Sequence, residues 1–95
     1  MTIDEVLRET MTWADTTFPA ATVESASEHM RREAMELWTS PRDPEEMADV
    51  VMLVAHLAHM QGIDLAAAIA GKLEKNRHRK WGKPDSQGVV EHVVE

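Results

Sequence analysis

Between Met47 and Met60 the chain reads MADVVMLVAHLAHM, and this segment limits the possible folds more than any other. At helical spacing Met47, Ala48, Val50, Val51, Met52, Leu53, Val54, Ala55, Leu57, Ala58 and Met60 leave almost no polar face. A helix that is apolar all round must be buried all round. Ninety-five residues form one domain, at the small end for a self-sufficient core. Three further short helices can hardly enclose such a segment. The pattern therefore predicts an oligomer, a homodimer at least, in which a second subunit completes the burial.

The rest of the chain reads as helices around this one. Thr2 with Glu5 has the form of a capping box, and Ile3, Val6, Leu7, Met11 and Ala14 follow with helical spacing until Phe18-Pro19 breaks the run. A second helix is expected from near Thr22 to near Thr39, with Val23, Ala26, Met30, Ala34, Leu37 and Trp38 on one stripe, before Ser40-Pro41. Asp43-Pro44-Glu45-Glu46 is a helix start, with Asp as N-cap and Pro at the first helical position. That third helix runs to about Gln61, where Gly62 supplies the stop. Asp64 caps a fourth helix carrying Leu65, Ala68, Ile69 and Leu73, which fades around Trp81-Gly82. Residues 83–95 are a tail in which VVEHVV forms a short strand or an extended arm. The expected fold is all-α, a bundle of about four helices completed by oligomerisation, without internal repeat or linker.

Four carboxylates lie symmetrically about the SPRDP turn. Glu33 and Glu36 form an E-x-x-E pair, and Glu46 and Asp49 an E-x-x-D pair. Position 41 is the midpoint both of 36 and 46 and of 33 and 49, so an antiparallel hairpin sets Glu36 level with Glu46 and Glu33 level with Asp49. Residues three apart share a helix face, so all four acids can converge. Each like pair about 4 Å apart costs roughly 4 kcal/mol at an effective dielectric near 20. A hard divalent cation, which takes oxygen ligands, relieves that cost. Glu46 also stands where a capping Glu belongs, and Glu33 and Glu36 taken singly resemble solvated helix charges. Asp49, inside an apolar run with no basic partner on its helix, has no such ordinary explanation. The joint placement points to Mg²⁺, with Mn²⁺ as an alternative.

Lys72, Asn76 and Arg79 fall at i, i+4 and i+7 of the fourth helix, a face suited to clamping phosphate and sugar. A solvated basic helix end is the ordinary alternative. Six of the ten Lys and Arg residues lie between Lys72 and Lys83, although the net charge is -7. That balance argues against a nucleic-acid polymer and suits a small anionic ligand held against metal. Trp13 and Trp81 can stack on a base or serve as core, and His56 and His59 read as hydrogen-bonded structural or interface residues. Cysteine is absent, the acidic MTIDEVLRET is unlike a signal peptide, and VVMLVA is too short to cross a bilayer. A soluble cytoplasmic protein is expected.

These motifs resemble the all-α nucleoside triphosphate pyrophosphohydrolases of the MazG-like superfamily. The hallmark there is E-E-x-x-E, a spacer, E-x-x-D and then K-x-x-x-N-x-x-R. Here it reads Arg32-Glu33-x-x-Glu36, Glu46-x-x-Asp49 and Lys72-x-x-x-Asn76-x-x-Arg79. Trp13-x-x-x-Thr17-Phe18 and His29-x-x-Arg32-Glu33 are similar to the phage and bacterial dATP/dGTP pyrophosphohydrolase subgroup. Arg32 stands where many members carry the first Glu, and the spacer is short; that subgroup accepts both.

The resemblance implies Mg²⁺-dependent hydrolysis of a (d)NTP, a purine deoxynucleotide (dGTP or dATP), to (d)NMP and pyrophosphate. It also extends the oligomer to a homotetramer. Glu33, Glu36, Glu46 and Asp49 then hold metal, Glu36 takes a proton from the attacking water, Lys72 and Arg79 hold phosphate, and Asn76 the sugar. A di-iron bundle fits less well, because that class uses E-x-x-H motifs. The competing class is a non-enzymatic module whose apolar third helix is a partner-binding face.

Overall fold

The structure, a computed structural model, describes residues 1–94; Glu95, the end of the expected tail, lies outside the described residues. Its elements are α1 (Ile3–Thr17), α2 (Val23–Thr39), α3 (Pro44–Met60) and α4 (Leu65–Arg77), with no strand among the described residues. Met1–Leu65 and Ala66–Glu95 form two compact units.

In the first unit, local chemistry sets each helix end. The Thr2 hydroxyl accepts from the Glu5 N–H at 3.2 Å, but the reciprocal half of the expected box is not made. The full capping box is at α2, where Ser25 replaces the usual Glu or Gln: Thr22 Oγ1 accepts from Ser25 N, and Ser25 Oγ from Thr22 N. Ser40 to Asp43 form a β-turn with Pro41 at its second position, closed by Asp43 N–H to Ser40 O at 3.1 Å. Asp43 then caps α3 by accepting from Glu45 N–H at 2.9 Å. At the far end Gly62 adopts φ +65°. The Ile63 N–H reaches Ala58 O at 2.9 Å and the Gly62 N–H reaches His59 O at 3.2 Å, the paired bonds of a Schellman stop.

α2 and α3 pack as a hairpin, and α1 lies against α3. The buried contacts are small: Ala14 of α1, Ala26 of α2, and Leu53, Ala55 and Ala58 of α3. Alanines permit close helix approach but bury little area each. α1 is also tied to α3 by Asp15 Oδ2 and His59 Nε2 at 3.0 Å. His59 is thus hydrogen-bonded as expected; His56, 4% exposed, is not. On α3 Met47 and Val51 stay about half exposed and Val54 is 36% exposed. The apolar helix is therefore covered on part of its circumference within this chain.

In the second unit α4 stops at Arg77, short of the Trp81-Gly82 end expected from its sequence. His78 and Arg79 make only single-turn bonds, to Lys75 O and Asn76 O. Beyond them the backbone is extended, because Lys80–Gly82 pair with the tail. Gly82 N–H donates to Glu91 O at 2.9 Å and Val93 N–H to Lys80 O at 2.8 Å, around a single antiparallel bridge between Trp81 and His92. The Asp85 carboxylate accepts from the Gln87 and Val89 N–H groups, and Gly88 takes φ +81° to complete the reversal. The tail is thus neither a strand of a sheet nor a free arm; it doubles back on the end of α4.

Candidate functional site

The hairpin brings the four acids together. One oxygen each from Glu33, Glu46 and Asp49 lies within 4.8 Å of the others. Glu36, exposed, lies near enough to Glu33 and Glu46 that its carboxyl helps raise both of theirs. Spacing by three on α2 and on α3 produces this convergence, and the Ser40–Asp43 turn sets the register between them.

Charge is stored here. Burial pushes the Glu33 carboxyl above its usual range, and the neighbouring Glu36 and Asp49 add to the shift; His29, with Nε2 3.5 Å from Glu33 Oε1, partly offsets it. The Glu46 carboxyl is also raised, by desolvation first and then by Glu36, Asp43 and Asp49. Glu33 Oε2 and Glu46 Oε2 are buried without any hydrogen-bond partner. Glu46 is therefore not a capping residue; its side chain serves the acid cluster. Unpartnered buried carboxylate oxygens are costly, and a hard cation fits the donor set, since carboxylates are its ordinary ligands.

Beside the acids opens a small recess of about 70 Å³, with Glu33 and Asp49 in its lining. Four rings, Trp13, Phe18, His29 and His56, line it together with Thr10, Ala14, Met52 and Leu53. Phe18 stands edge-on to Trp13 (centroids 5.4 Å) and to His29 (6.1 Å). Of these residues the sequence offered Trp13 as a stacking candidate, and Phe18 and His29 as parts of the motifs shared with the dATP/dGTP subgroup. His56 comes from a separate helix, and no local spacing connects it to them.

The cationic trio is arranged differently from the one-face expectation. Lys72 and Asn76 are on α4, Lys72 exposed and Asn76 half-buried, but Arg79 lies past the helix end in the bend that leads to the tail pairing. Arg79 Nη1 donates to Asn76 Oδ1 at 3.3 Å, and the Trp81 indole N–H to Asn76 O at 3.0 Å. Arg79 and Lys80 line an open recess of about 280 Å³ with His78 and His92. A cationic pocket is thus present in this unit, built by the helix end and the returning tail.

Comparison with known proteins places this geometry. A family model described as dATP/dGTP pyrophosphohydrolase matches residues 6–95. A "dATP/dGTP diphosphohydrolase" of Salmonella phage PMBT28 is 38% identical over 95 residues, 99% of this chain but 32% of the relative, so the chain spans about a third of that protein. A "dATP/dGTP diphosphohydrolase" of cyanophage S-2L is 34% identical over 94 residues, 97% of this chain and 89% of the relative. The solved cyanophage S-2L MazG-like pyrophosphohydrolase, bound to dGDP and three catalytic Mn²⁺ ions per active site, is similar with a TM-score of 0.82 and 33% identity, covering 99% of each chain. The fold is the MazG-like all-α fold.

Proposed function

Because the chain belongs to the dATP/dGTP pyrophosphohydrolase family, we propose that it hydrolyses a (d)NTP, a purine deoxynucleotide in the first place, to (d)NMP and pyrophosphate. The observation that carries this reading is the pair of buried, unpartnered oxygens on Glu33 and Glu46 within a cluster of three carboxylates, Glu33, Glu46 and Asp49. Like charges so placed have little use in an interaction module, and they suit a divalent cation.

Glu33, Glu46 and Asp49 hold the cation, Mg²⁺ or Mn²⁺, with Glu36 beside them. When bound, the cation neutralises triphosphate charge and makes water a stronger acid. Glu36, exposed to solvent beside the cluster, would accept the proton released as water adds to phosphorus. Lys72 and Arg79 bind phosphate oxygens, Lys as a point charge and Arg as a fork, and Asn76 binds the sugar. The Arg79–Asn76 bond holds these two groups in a fixed relation before the ligand arrives.

The family model runs through both compact units, which supports one catalytic domain over 1–95. The open apolar face of α3 (Met47, Val51, Val54) is read as a self-association surface, giving a homodimer or homotetramer. No single helix among the described residues is long and apolar enough to cross a membrane; a cytoplasmic setting is part of the proposal, as the place where a (d)NTP substrate is found. A panel of dNTPs and NTPs with Mg²⁺ or Mn²⁺, scored for pyrophosphate against orthophosphate, tests the reaction. Orthophosphate as the sole product, or no metal dependence, refutes it.

A further inference from the structure

His56 is the most conspicuous polar group that the proposed chemistry leaves unused. It sits on α3 two turns beyond Asp49 on the same face and is 4% exposed, and no hydrogen bond to its ring is found among the described residues. A ring contact is made with Phe18, tilted at 37° with centroids 6.2 Å apart. Its ring nitrogens are not among the sealed, unpartnered side-chain atoms of the described residues, which are Glu33 Oε2 and Glu46 Oε2. The imidazole is open to the recess whose other wall is Glu33 and Asp49. A ligand held at the acids by its phosphates has this aromatic recess as its neighbour. Trp13, 51% exposed at the recess, offers a ring face for stacking.

An imidazole carries at least one N–H donor in each protonation state. Among the described residues no neighbour claims that donor, so it is available to a ligand acceptor. Among nucleobases, adenine and guanine share the N7 acceptor, and pyrimidines lack it. Resting on the purine nucleotide reading above, we propose that the His56 imidazole donates a hydrogen bond to N7 of the substrate base while Trp13 stacks on its face. This makes His56 a specificity-determining residue for purines as a class. It recognises the feature that adenine and guanine have in common and does not distinguish between them. Phe18 lines the same recess with an apolar ring, and His29 there lies 3.5 Å from Glu33 through its Nε2.

The test changes one ligand atom and needs no variant. 7-Deaza-dGTP and 7-deaza-dATP replace N7 by C–H and keep the rest of the base. The unmodified protein should turn over each deaza analogue with kcat/KM lowered roughly tenfold, equivalent to about 1.4 kcal/mol and within the range for a buried donor left without its acceptor. His56→Leu should process parent and deaza nucleotides equally, and His56→Gln, which keeps an N–H donor, should restore part of the preference. Calorimetric binding of dGMP against 7-deaza-dGMP should show the same tenfold ratio. Equal handling of parent and analogue by the unmodified protein, or an undiminished preference in His56→Leu, overturns the assignment. Absence of pyrophosphate from dGTP, with dGMP still preferred tenfold, overturns the proposed reaction and leaves the role of His56 standing.

Discussion

Replacing Glu33 with Gln separates a stored charge from a structural contact. An oxygen of Glu33 lies within 4.8 Å of one on Asp49, so the two charges repel by about 332/(20 × 4.8), or about 3.5 kcal/mol, at an effective dielectric near 20. Protonation limits what can be stored: from a usual value of 4.5, taking up a proton at pH 7 costs about 1.36 × 2.5, or about 3.4 kcal/mol. The two limits agree. Against this stands the His29–Glu33 pair at 3.5 Å, with side chains 45% and 19% exposed. Such a pair contributes about 0–1 kcal/mol, so relief of repulsion wins. The metal-free Glu33→Gln protein should therefore gain up to about 3 kcal/mol, and each kcal/mol is worth about 4–8 °C in Tm for a domain of this size. Scanning calorimetry in EDTA and then in excess Mn²⁺ reads both halves of the argument. The parent should gain about 2.7 kcal/mol at a hundredfold excess over Kd, and the variant should lose most of that gain together with turnover. A variant that melts below the parent in EDTA, or that keeps the full Mn²⁺ gain, refutes the reasoning.

Three further outcomes are expected. Glu33 and Glu46 are both shifted upward, so between pH 4.5 and their raised values the folded state holds protons that the unfolded chain has released. Metal-free stability should fall as pH rises through that window, and Mn²⁺ should reverse the slope; urea midpoints across the pH range check the sign. Lys72→Ala and Arg79→Ala should leave Mn²⁺-induced stabilisation intact while weakening nucleotide binding by about 1.5–3 kcal/mol each, read by calorimetry. Val51→Glu places a charge on the open face of α3 and should drive the protein toward a 10.7 kDa monomer by light scattering, whereas a parent already monomeric at micromolar concentration contradicts the self-association reading.

What could be read from the sequence depended on how local each signal was. The bounds of α2 and α3 follow from Thr22, Pro41, Asp43 and Gly62, each acting within a turn of its own position. The convergence of Glu33, Glu36, Glu46 and Asp49 was equally legible, because two helices joined by one short turn have a register that arithmetic supplies. The end of α4 was not. Residues from Lys75 to Lys80 contain no helix breaker, and what stops the helix is pairing with Glu91–Val93, about ten residues further on. The same long-range contact moves Arg79 off the face it would share with Lys72 and Asn76. The aromatic recess was hidden for a similar reason, since Trp13, Phe18, His29 and His56 meet only once three helices have packed.

The acid cluster is supplied by a single hairpin, with Glu33 and Asp49 sixteen positions apart (49 − 33) and a turn of four residues between the helices. Closing so short a loop has a small entropic cost, and contacts this local form early when a chain folds. The opposition comes from the carboxylates, which meet as the hairpin zips. On the proposed reading, a cation captured by them would lower that opposition as it arises, so ion supply would bear on how fast the chain folds as well as on its stability. During synthesis the hairpin is complete before the tail has been made. The residues that gather the acids are thus made before Arg79 and the tail that positions it.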